Sequence, residues 1–320
     1  MRTLGRALAL VFVSLASASA AIELVHVRGH VYLLAGAGGN ITISVGPDGV
    51  LLVDSGQVRV SDQVLAAIQQ LQQRLSPNVS PKPIRYIVNT HLDADHTGGN
   101  ERIAAAGKTI TGGNVAFEIA DASEGATIIS HEKLLNRLSP DGKPTVPVRA
   151  LPTLTFAGDS MKLSQFFNGE GIQIFHEKAA HTDGDSMVYF RGSDVISTGD
   201  VFLTTGYPVI DLENGGSFQG IIDALNHVLD LSVAEFRTEG GTLVIPGHGR
   251  ICDSADVAYY RDMVTIIRDR IVDMMKKGMT LEQVKAARPT ADWDPRYGGS
   301  SFWTPDRFVE AAYKSLSQKK

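Results

Sequence analysis

The chain has 320 residues, of which 43% are hydrophobic and 20% charged, values typical of a globular protein with a sizeable core. The formal net charge is −5 and the sequence contains no basic tract, which argues against a nucleic-acid partner. Cys252 is the single cysteine, so an intrachain disulfide is excluded.

The first twenty residues differ from the rest of the chain. Arg2 and Arg6 precede an apolar run over 8–16, and small residues at 18–20 follow it. This pattern is typical of a signal peptide with its cleavage site, and the run is too short to span a bilayer. We therefore expect a periplasmic or secreted protein without stable membrane association after cleavage. An uncleaved anchor is the alternative.

Short β-rich runs separated by glycine turns open the mature chain, and they predict strands over 22–27, 31–34, 40–45 and 50–53. An apolar helical stripe follows behind Ser61, a predicted N-cap. A proline-rich loop over 76–83 then leads to a buried strand over 84–89. Strands, a helix and another strand in this order indicate a layered α/β or α+β architecture.

Four metal-competent side chains follow the strand over 84–89: His91, Asp93, Asp95 and His96. In an extended or turning loop the first three alternate faces and the last turns back, so the four can serve two neighbouring ions. Imidazole and carboxylate ligands suit zinc, iron or manganese. A solvated polar turn is the alternative interpretation of this loop.

Gly98 and Gly99 come directly after this loop, and we expect them to adopt torsions that a side chain would forbid. Helices are predicted over 100–106 and 221–229, and 112–140 is predicted to be mainly helical and partly irregular. Further strands are predicted over 154–156, 173–175, 187–190, 194–197 and 243–245. The C-terminal part is predicted to be helical, with an apolar stripe over 257–274 and helix starts at Thr280 and Thr304.

Three of the later strands lead into further candidate ligands: His181 in AHTDGDS, Asp200 in STGDVF and His248 in IPGHG. Each alone has an ordinary explanation as a turn or a solvated loop residue. Their order and spacing behind the loop at 91–96 favour a shared metal site.

At these segments the sequence resembles the metallo-β-lactamase superfamily. The resemblance rests on Thr90-His91-Leu92-Asp93-Ala94-Asp95-His96, His181-Thr182-Asp183-Gly184, Gly199-Asp200 and Pro246-Gly247-His248. It implies an α+β fold, a four-layer αββα sandwich of two mixed sheets with the metals at one edge. The expected single domain covers 21–320, with the family core at about 22–250 and a helical extension at about 251–320.

The resemblance also implies the ligands of two ions. His91, Asp93 and His181 would hold the first ion, Asp95, His96 and His248 the second, and Asp200 would bridge both. Asp54 occupies the position of an aspartate that supports the metal loop in the family. A turn-capping role for Asp54 is the alternative.

Asp93 departs from the family pattern, which usually has a second histidine there. Its negative charge is expected to raise the pKa of a bound water at the first ion. His91, Asp93 and His181 form a two-histidine, one-carboxylate set, which non-haem iron favours. Two zinc ions are the expected cofactor, and Asp93 also suits iron or manganese.

The resemblance implies an exported binuclear hydrolase that uses a metal-bound hydroxide on a small amide, lactone or thioester, with a β-lactam as the best named substrate. Asp95 is the candidate to orient the nucleophile and to pass a proton to the leaving group. The alternatives are a non-haem iron oxidoreductase of the same superfamily and a metal-binding protein without catalysis.

Two further features permit two interpretations each. The loop with Tyr207 and Asp211 could line the substrate cleft, or it could be a packing turn with a helix cap at Ser217. His131 could point toward the cleft or cap a helix.

Overall fold

The computed structural model describes residues 21–109, 124–163, 166–232 and 240–318. The predicted signal peptide over 1–20 lies outside the described residues. Residues 112–123 of the segment over 112–140 also lie outside the described residues.

The first sheet contains seven strands in sequential order across the described residues. They are β1 (Glu23–Arg28), β2 (Val31–Ala37), β3 (Gly39–Gly46), β4 (Gly49–Val53), β5 (Ile84–Val88), β6 (Thr127–His131) and β7 (Leu154–Phe156). Strands β1 to β4 form an antiparallel meander, whereas β4 to β7 pair in parallel. Because parallel strands end at one edge of a sheet, polar residues after β4, β5 and β6 are brought together there.

The second sheet has six described strands in the order β13-β12-β11-β10-β9-β8. They are β8 (Ser160–Lys162), β9 (Ile172–Glu177), β10 (Asp185–Phe190), β11 (Val195–Ser197), β12 (Leu243–Ile245) and β13 (Cys252–Asp253). Only the pair β11 and β12 is parallel among them. Both sheets are therefore mixed.

Helices cover the outer faces of both sheets. They are α1 (Ser61–Leu75), α2 (Ala94–Thr97), α3 (Asn100–Ala105), α4 (Glu132–Leu138), α5 (Phe218–Leu231), α6 (Ser254–Lys276), α7 (Leu281–Ala286), α8 (Asp294–Tyr297) and α9 (Pro305–Ser317). The predicted helix starts at Thr280 and Thr304 are confirmed, and Ser217 caps α5 as one of its two interpretations proposed. Each of these side chains accepts a backbone N–H of the first turn.

The alternation of side chains along β4 shows how the layers are built. Leu51 and Val53 point into the apolar layer between the two sheets, and Val50 and Leu52 point into the layer under α1 and α3. Successive side chains of a strand face opposite sides, so a strand covered on both faces is apolar throughout. Full burial of each such side chain contributes about 1.5–3 kcal/mol.

A third apolar layer lies between the second sheet and the helices α5 to α9. It includes the stripe predicted for the long C-terminal helix, with Val257, Tyr260, Val264, Ile267 and Ile271 all buried. The predicted four-layer αββα fold with C-terminal helices is thus confirmed. The assignment of 21–320 to one domain stays a prediction. Within the described residues, every helix is too short or too polar to span a bilayer.

The segment Thr127–His131 corrects the prediction of a mainly helical stretch over 112–140, because it forms β6 between β5 and β7. Its β-branched run is buried on both faces, a pattern that cannot be told from a buried helix by periodicity alone. Ser61 is also not an N-cap. It is the first helical residue and its hydroxyl donates to Val58 O at 2.9 Å.

Candidate metal centre

The loop after β5 delivers four of the predicted ligands to the edge of the sandwich. His91 and Asp93 lie in the loop, and Asp95 and His96 lie in the single turn α2. Thr97 Oγ1 donates to Leu92 O and Asp93 O, each at 3.1 Å, which closes the loop onto α2. The hydrogen bonds of Thr97 thus fix the backbone of the loop that carries the four side chains.

Gly98 and Gly99 serve close packing and not unusual torsions, which corrects the sequence-based expectation. Gly98 has φ −61° and ψ −28°, and Gly99 has φ −80° and ψ −8°, values that any residue adopts. A Cβ on Gly98 would lie 2.5 Å from Ala94 O and 2.8 Å from Val58 N. A side chain at either position would push α2 away from the segment after β4.

A first donor set consists of His91, Asp93, His181 and Asp200, whose ligand atoms lie within 4.8 Å of one another. Asp93 Oδ2 lies 3.8 Å from His91 Nε2 and 3.7 Å from His181 Nε2. Asp200 Oδ2 lies 3.9 Å from His91 Nε2. Asp93 therefore lies beside both histidines of this set with its side chain 37% exposed, and its role as a metal ligand stays a prediction.

A second donor set consists of Asp95, His96 and His248. His248 Nε2 lies 3.3 Å from both Asp95 Oδ2 and His96 Nε2. Asp200 Oδ1 lies 3.3 Å from His96 Nε2 and 3.6 Å from His248 Nε2. Asp200 thus directs one carboxylate oxygen toward each set.

The donor chemistry of both sets fits a metal centre. His91 Nε2 and Asp200 Oδ1 are buried side-chain atoms at the donor sets without a hydrogen-bond partner in the described part of the chain. Buried polar atoms are rarely left unpaired, so these two atoms fit the role of metal ligands. Glycines also make room here, since a Cβ on Gly39 would meet the His96 ring and one on Gly247 would meet Asp200 Oδ1.

Asp54 supports both donor sets from below, which the sequence permitted but did not decide. Its Oδ2 lies 2.8 Å from His96 Nδ1 and accepts the Thr90 hydroxyl at 2.7 Å, and its Oδ1 accepts Thr90 N–H at 2.8 Å. Thr90 Oγ1 in turn lies 2.9 Å from His91 Nδ1. This network places the proton of each imidazole on Nδ1 and leaves Nε2 free to bind a metal.

Asp54 takes a φ of 66°, which is uncommon for a residue other than glycine. The position turns the end of β4 so that the carboxylate lies under the metal loop. Thr90 begins the motif that carries the resemblance, but no supporting role was predicted for its side chain. Its position directly before His91, at the end of a buried strand, was the available signal.

The electrostatics of the imidazoles differ between the sets. Burial lowers the pKa of His91 well below its ordinary value, and the nearby His96 lowers it further. Burial also lowers the pKa of His96, but the carboxylates of Asp200 and Asp54 outweigh it and hold that pKa well above its ordinary value. Without an ion, protons and carboxylates compensate one another in the second set.

The carboxylates show the same compensation. Burial opposes ionisation of Asp200, but His96 and His91 outweigh it and hold its pKa well below the usual range. The hydrogen bond from His248 lowers the pKa of Asp95, so Asp95 is ionised at neutral pH. Burial raises the pKa of Asp93, partly offset by His181.

The two ambiguous features are packing elements. Tyr207 is buried, its hydroxyl donates to Asp294 Oδ1 at 2.9 Å, and its ring stacks on Phe308 at 4.8 Å. His131 Nδ1 accepts Lys133 N–H at the start of α4, and its ring stacks on His176 at 3.6 Å. Neither side chain belongs to a donor set.

Comparison with known proteins agrees with this architecture. A linear primary-alkylsulfatase of Pseudomonas sp. is 24% identical over 285 residues, which cover 78% of this chain and 50% of that protein. A stereoselective inverting sec-alkylsulfatase of Pseudomonas sp. has a TM-score of 0.62 and 17% identity, over 92% of this chain and 50% of that chain. The chain thus spans about half the length of these alkylsulfatases.

A metallo-β-lactamase from Pontibacter korlensis is similar in fold as well, with a TM-score of 0.53 and 16% identity over 76% of this chain and 99% of that chain. The family model that describes the metallo-beta-lactamase superfamily matches residues 34–248. This match covers more than half of the chain and contains every residue of both donor sets. The chain therefore belongs to the metallo-β-lactamase superfamily.

Proposed function

We propose that this metal-dependent hydrolase binds two ions, one in each donor set, with Asp200 shared between them. The observation that carries the proposal is the position of Asp200, whose Oδ2 faces His91 and whose Oδ1 faces His96 and His248. A buried carboxylate between two histidine clusters is the arrangement expected of a bridging ligand.

Zinc is the first candidate metal, because imidazole and carboxylate donors suit it. The first set contributes two histidines and Asp93, and such a set also suits iron. Manganese is the third candidate, since it accepts carboxylate oxygen readily. When bound, two such ions acidify a water and polarise the bond that is to be cleaved.

Asp95 is the side chain that we assign to proton transfer during hydrolysis. Its carboxylate is ionised, held by His248, and 32% exposed, so it can reach both the donor set and an incoming substrate. We infer that Asp95 orients the attacking water and accepts its proton. The water oxygen bonds to the substrate, the bond to the leaving atom breaks, and the proton passes to that atom.

A small amide, lactone or thioester is the first substrate class, and a β-lactam is the best named member. The support is the superfamily match and the fold shared with a metallo-β-lactamase. A predicted export signal adds to it, since an exported enzyme would meet such compounds outside the cytoplasm.

A sulfate ester is the second substrate class, and one observation favours it. The structural match to the sec-alkylsulfatase covers 92% of this chain, whereas the match to the Pontibacter enzyme covers 76%. The sulfatase activity of those longer proteins is a hypothesis for this chain.

The test combines elemental analysis with a substrate panel. Purified protein is loaded with zinc, iron or manganese, and the metal content per chain is measured. Each form is assayed on a cephalosporin, a lactone, a thioester and primary and secondary alkyl sulfates, with Asp200→Ala as the matched control. Two ions per chain and metal-dependent turnover of one class support the proposal.

Two other results would decide against it. Two bound ions without turnover of any compound would favour a metal-binding protein without catalysis. Tight iron binding with oxygen consumption would favour the oxidoreductase hypothesis.

We also propose that residues 1–20 are removed on export and that the mature protein begins at or near Ala21. The support is the basic start, the short apolar run and the small residues at 18–20. Mass spectrometry of protein recovered from the periplasm or medium checks this. An intact N-terminus in that fraction would contradict it.

A further inference from the structure

Asn40 lies at the start of β3 in the first sheet and contacts a loop of the second sheet. Its side-chain Nδ2 donates to Pro246 O at 2.9 Å and to Gly249 O at 3.0 Å, and its backbone N–H donates to Gly247 O at 2.8 Å. A single residue therefore binds three backbone carbonyl groups of the loop around His248.

The loop over 246–249 contains two glycines, so its sequence does little to restrict its backbone. Gly247 and Gly249 flank His248, and Gly249 takes a φ of 106°, a region that favours glycine. Residues near the second sheet also bind this loop, since His248 O accepts Thr204 N–H at 3.1 Å and Gly247 N–H donates to Gly199 O at 2.8 Å. Asn40 adds three hydrogen bonds from the first sheet.

The contact also joins the two halves of the second donor set. Asp95 and His96 belong to the loop after β5 in the first sheet, whereas His248 follows β12 in the second sheet. The distance of 3.3 Å between His96 Nε2 and His248 Nε2 depends on how the two sheets meet at this edge. Asn40, on a strand of the first sheet, forms hydrogen bonds directly to the His248 loop.

We propose that Asn40 is a positioning residue that sets the geometry of the second metal site. The inference rests on the proposed two-ion function. Metal-site residues that orient ligands typically change affinity by about 10- to 100-fold when altered. We expect a loss of this size for the second ion and no change for the first, because none of the three bonds reaches the first donor set.

Asn40→Asp is the decisive variant, since it keeps the shape of the side chain and removes both N–H donors. Its carboxylate oxygen would face the carbonyl oxygens of Pro246 and Gly249 and repel them. Asn168→Asp is the matched control. Asn168 Nδ2 donates to Ser44 Oγ near the other end of β3 and to Gly49 O at the start of β4, so the same substitution removes two side-chain N–H donors away from the site.

The measurement is a zinc titration of the metal-free proteins against a chromogenic chelator, with His248→Ala as the reference for loss of the second ion. Asn40→Asp should retain one tight ion like His248→Ala and bind the other about 10-fold or more weakly. Excess zinc should restore its activity, which it could not do if the fold were damaged. Asn168→Asp should keep two tight ions.

Two tight ions in Asn40→Asp and in an Asn40→Ala variant would overturn the inference and leave the proposed function standing. Failure of the unaltered protein to bind two ions would overturn both. Circular dichroism of the metal-free variants shows whether each of them is folded. If Asn40→Asp does not fold, Asn40→Ala is the variant that tests the inference.

Discussion

The carboxylate of Asp54 lies 2.8 Å from His96 Nδ1, and the same oxygen accepts the hydroxyl of Thr90, which contacts His91. One buried carboxylate therefore orients an imidazole in each donor set. The two donor sets are therefore connected by hydrogen bonds through Asp54 and Thr90, in addition to the Asp200 carboxylate that lies between them.

Substitution of Asp54 by Asn should weaken binding of both ions by about 10- to 100-fold. The amide nitrogen would replace either Oδ2, which accepts from His96 and the Thr90 hydroxyl, or Oδ1, which accepts the Thr90 N–H. Zinc affinity measured by chelator competition checks this. Asp62→Asn is a suitable control, since Asp62 is an exposed partner of Arg102. Unchanged affinity in Asp54→Asn would show that Asp54 is only a turn residue.

Substitution of Asp200 by Ala should release or loosen both ions and reduce hydrolysis to background, while most of the fold is retained. The reason is that Asp200 contributes an oxygen to each set. Metal content and circular dichroism of the variant are the measurements. Full metal retention with unchanged turnover would remove Asp200 from the site.

Asp93→Ala should lose metal at the first set, and Asp93→Asn should bind it more weakly, because the negative charge is gone. If these variants keep two tightly bound ions, Asp93 is not a ligand. Elemental analysis after dialysis gives the answer.

Asp93→His tests whether the negative charge at position 93 raises the pKa of a metal-bound water. Removal of a unit charge a few ångströms from the ion shifts the pKa of a bound water downward by roughly one unit or more. The rising limb of the pH–rate profile should therefore move to lower pH. An unmoved limb in an active variant would contradict the charge argument.

The pair His227 and Glu177 predicts a pH-dependent contribution to stability. His227 Nδ1 lies 2.8 Å from Glu177 Oε1, and this hydrogen bond raises the pKa of His227. The folded state therefore binds the proton more tightly than the unfolded chain. The resulting stabilisation is fully present below the unfolded pKa of about 6.5 and is lost as the pH rises through the raised value.

The His227→Gln variant should accordingly lower the Tm more at about pH 5.5 than at about pH 9. His26→Gln is the control, because His26 is exposed, its nearby groups are Gly29 O and the Tyr32 ring, and neither of them is a carboxylate. An equal loss of Tm at both pH values would show that the ion pair does not form.

The ligand positions could be predicted because they follow strand ends in a fixed order. The sequence shows His91, His181, Asp200 and His248 as polar residues after short apolar runs, and runs of that kind become the buried strands of a layered fold. The structure brings these side chains together in the two donor sets, and their roles as metal ligands stay predictions. The segment over 127–131 was misassigned because its apolar run is followed by a helical pattern, and only pairing with β5 and β7 decides that it is a strand.

The supporting contacts could not be predicted, since they join residues that are distant in the chain. Asp54 meets His96 across 42 positions, and Asn40 meets Gly249 across 209. The sequence by itself determined which side chains are available to bind metal and which faces are apolar, because both depend on local order. The tertiary structure decided which carboxylate lies beneath which imidazole and how the two sheets meet at the metal edge. Those distances depend on the packing of both sheets at once, and no local pattern records that packing.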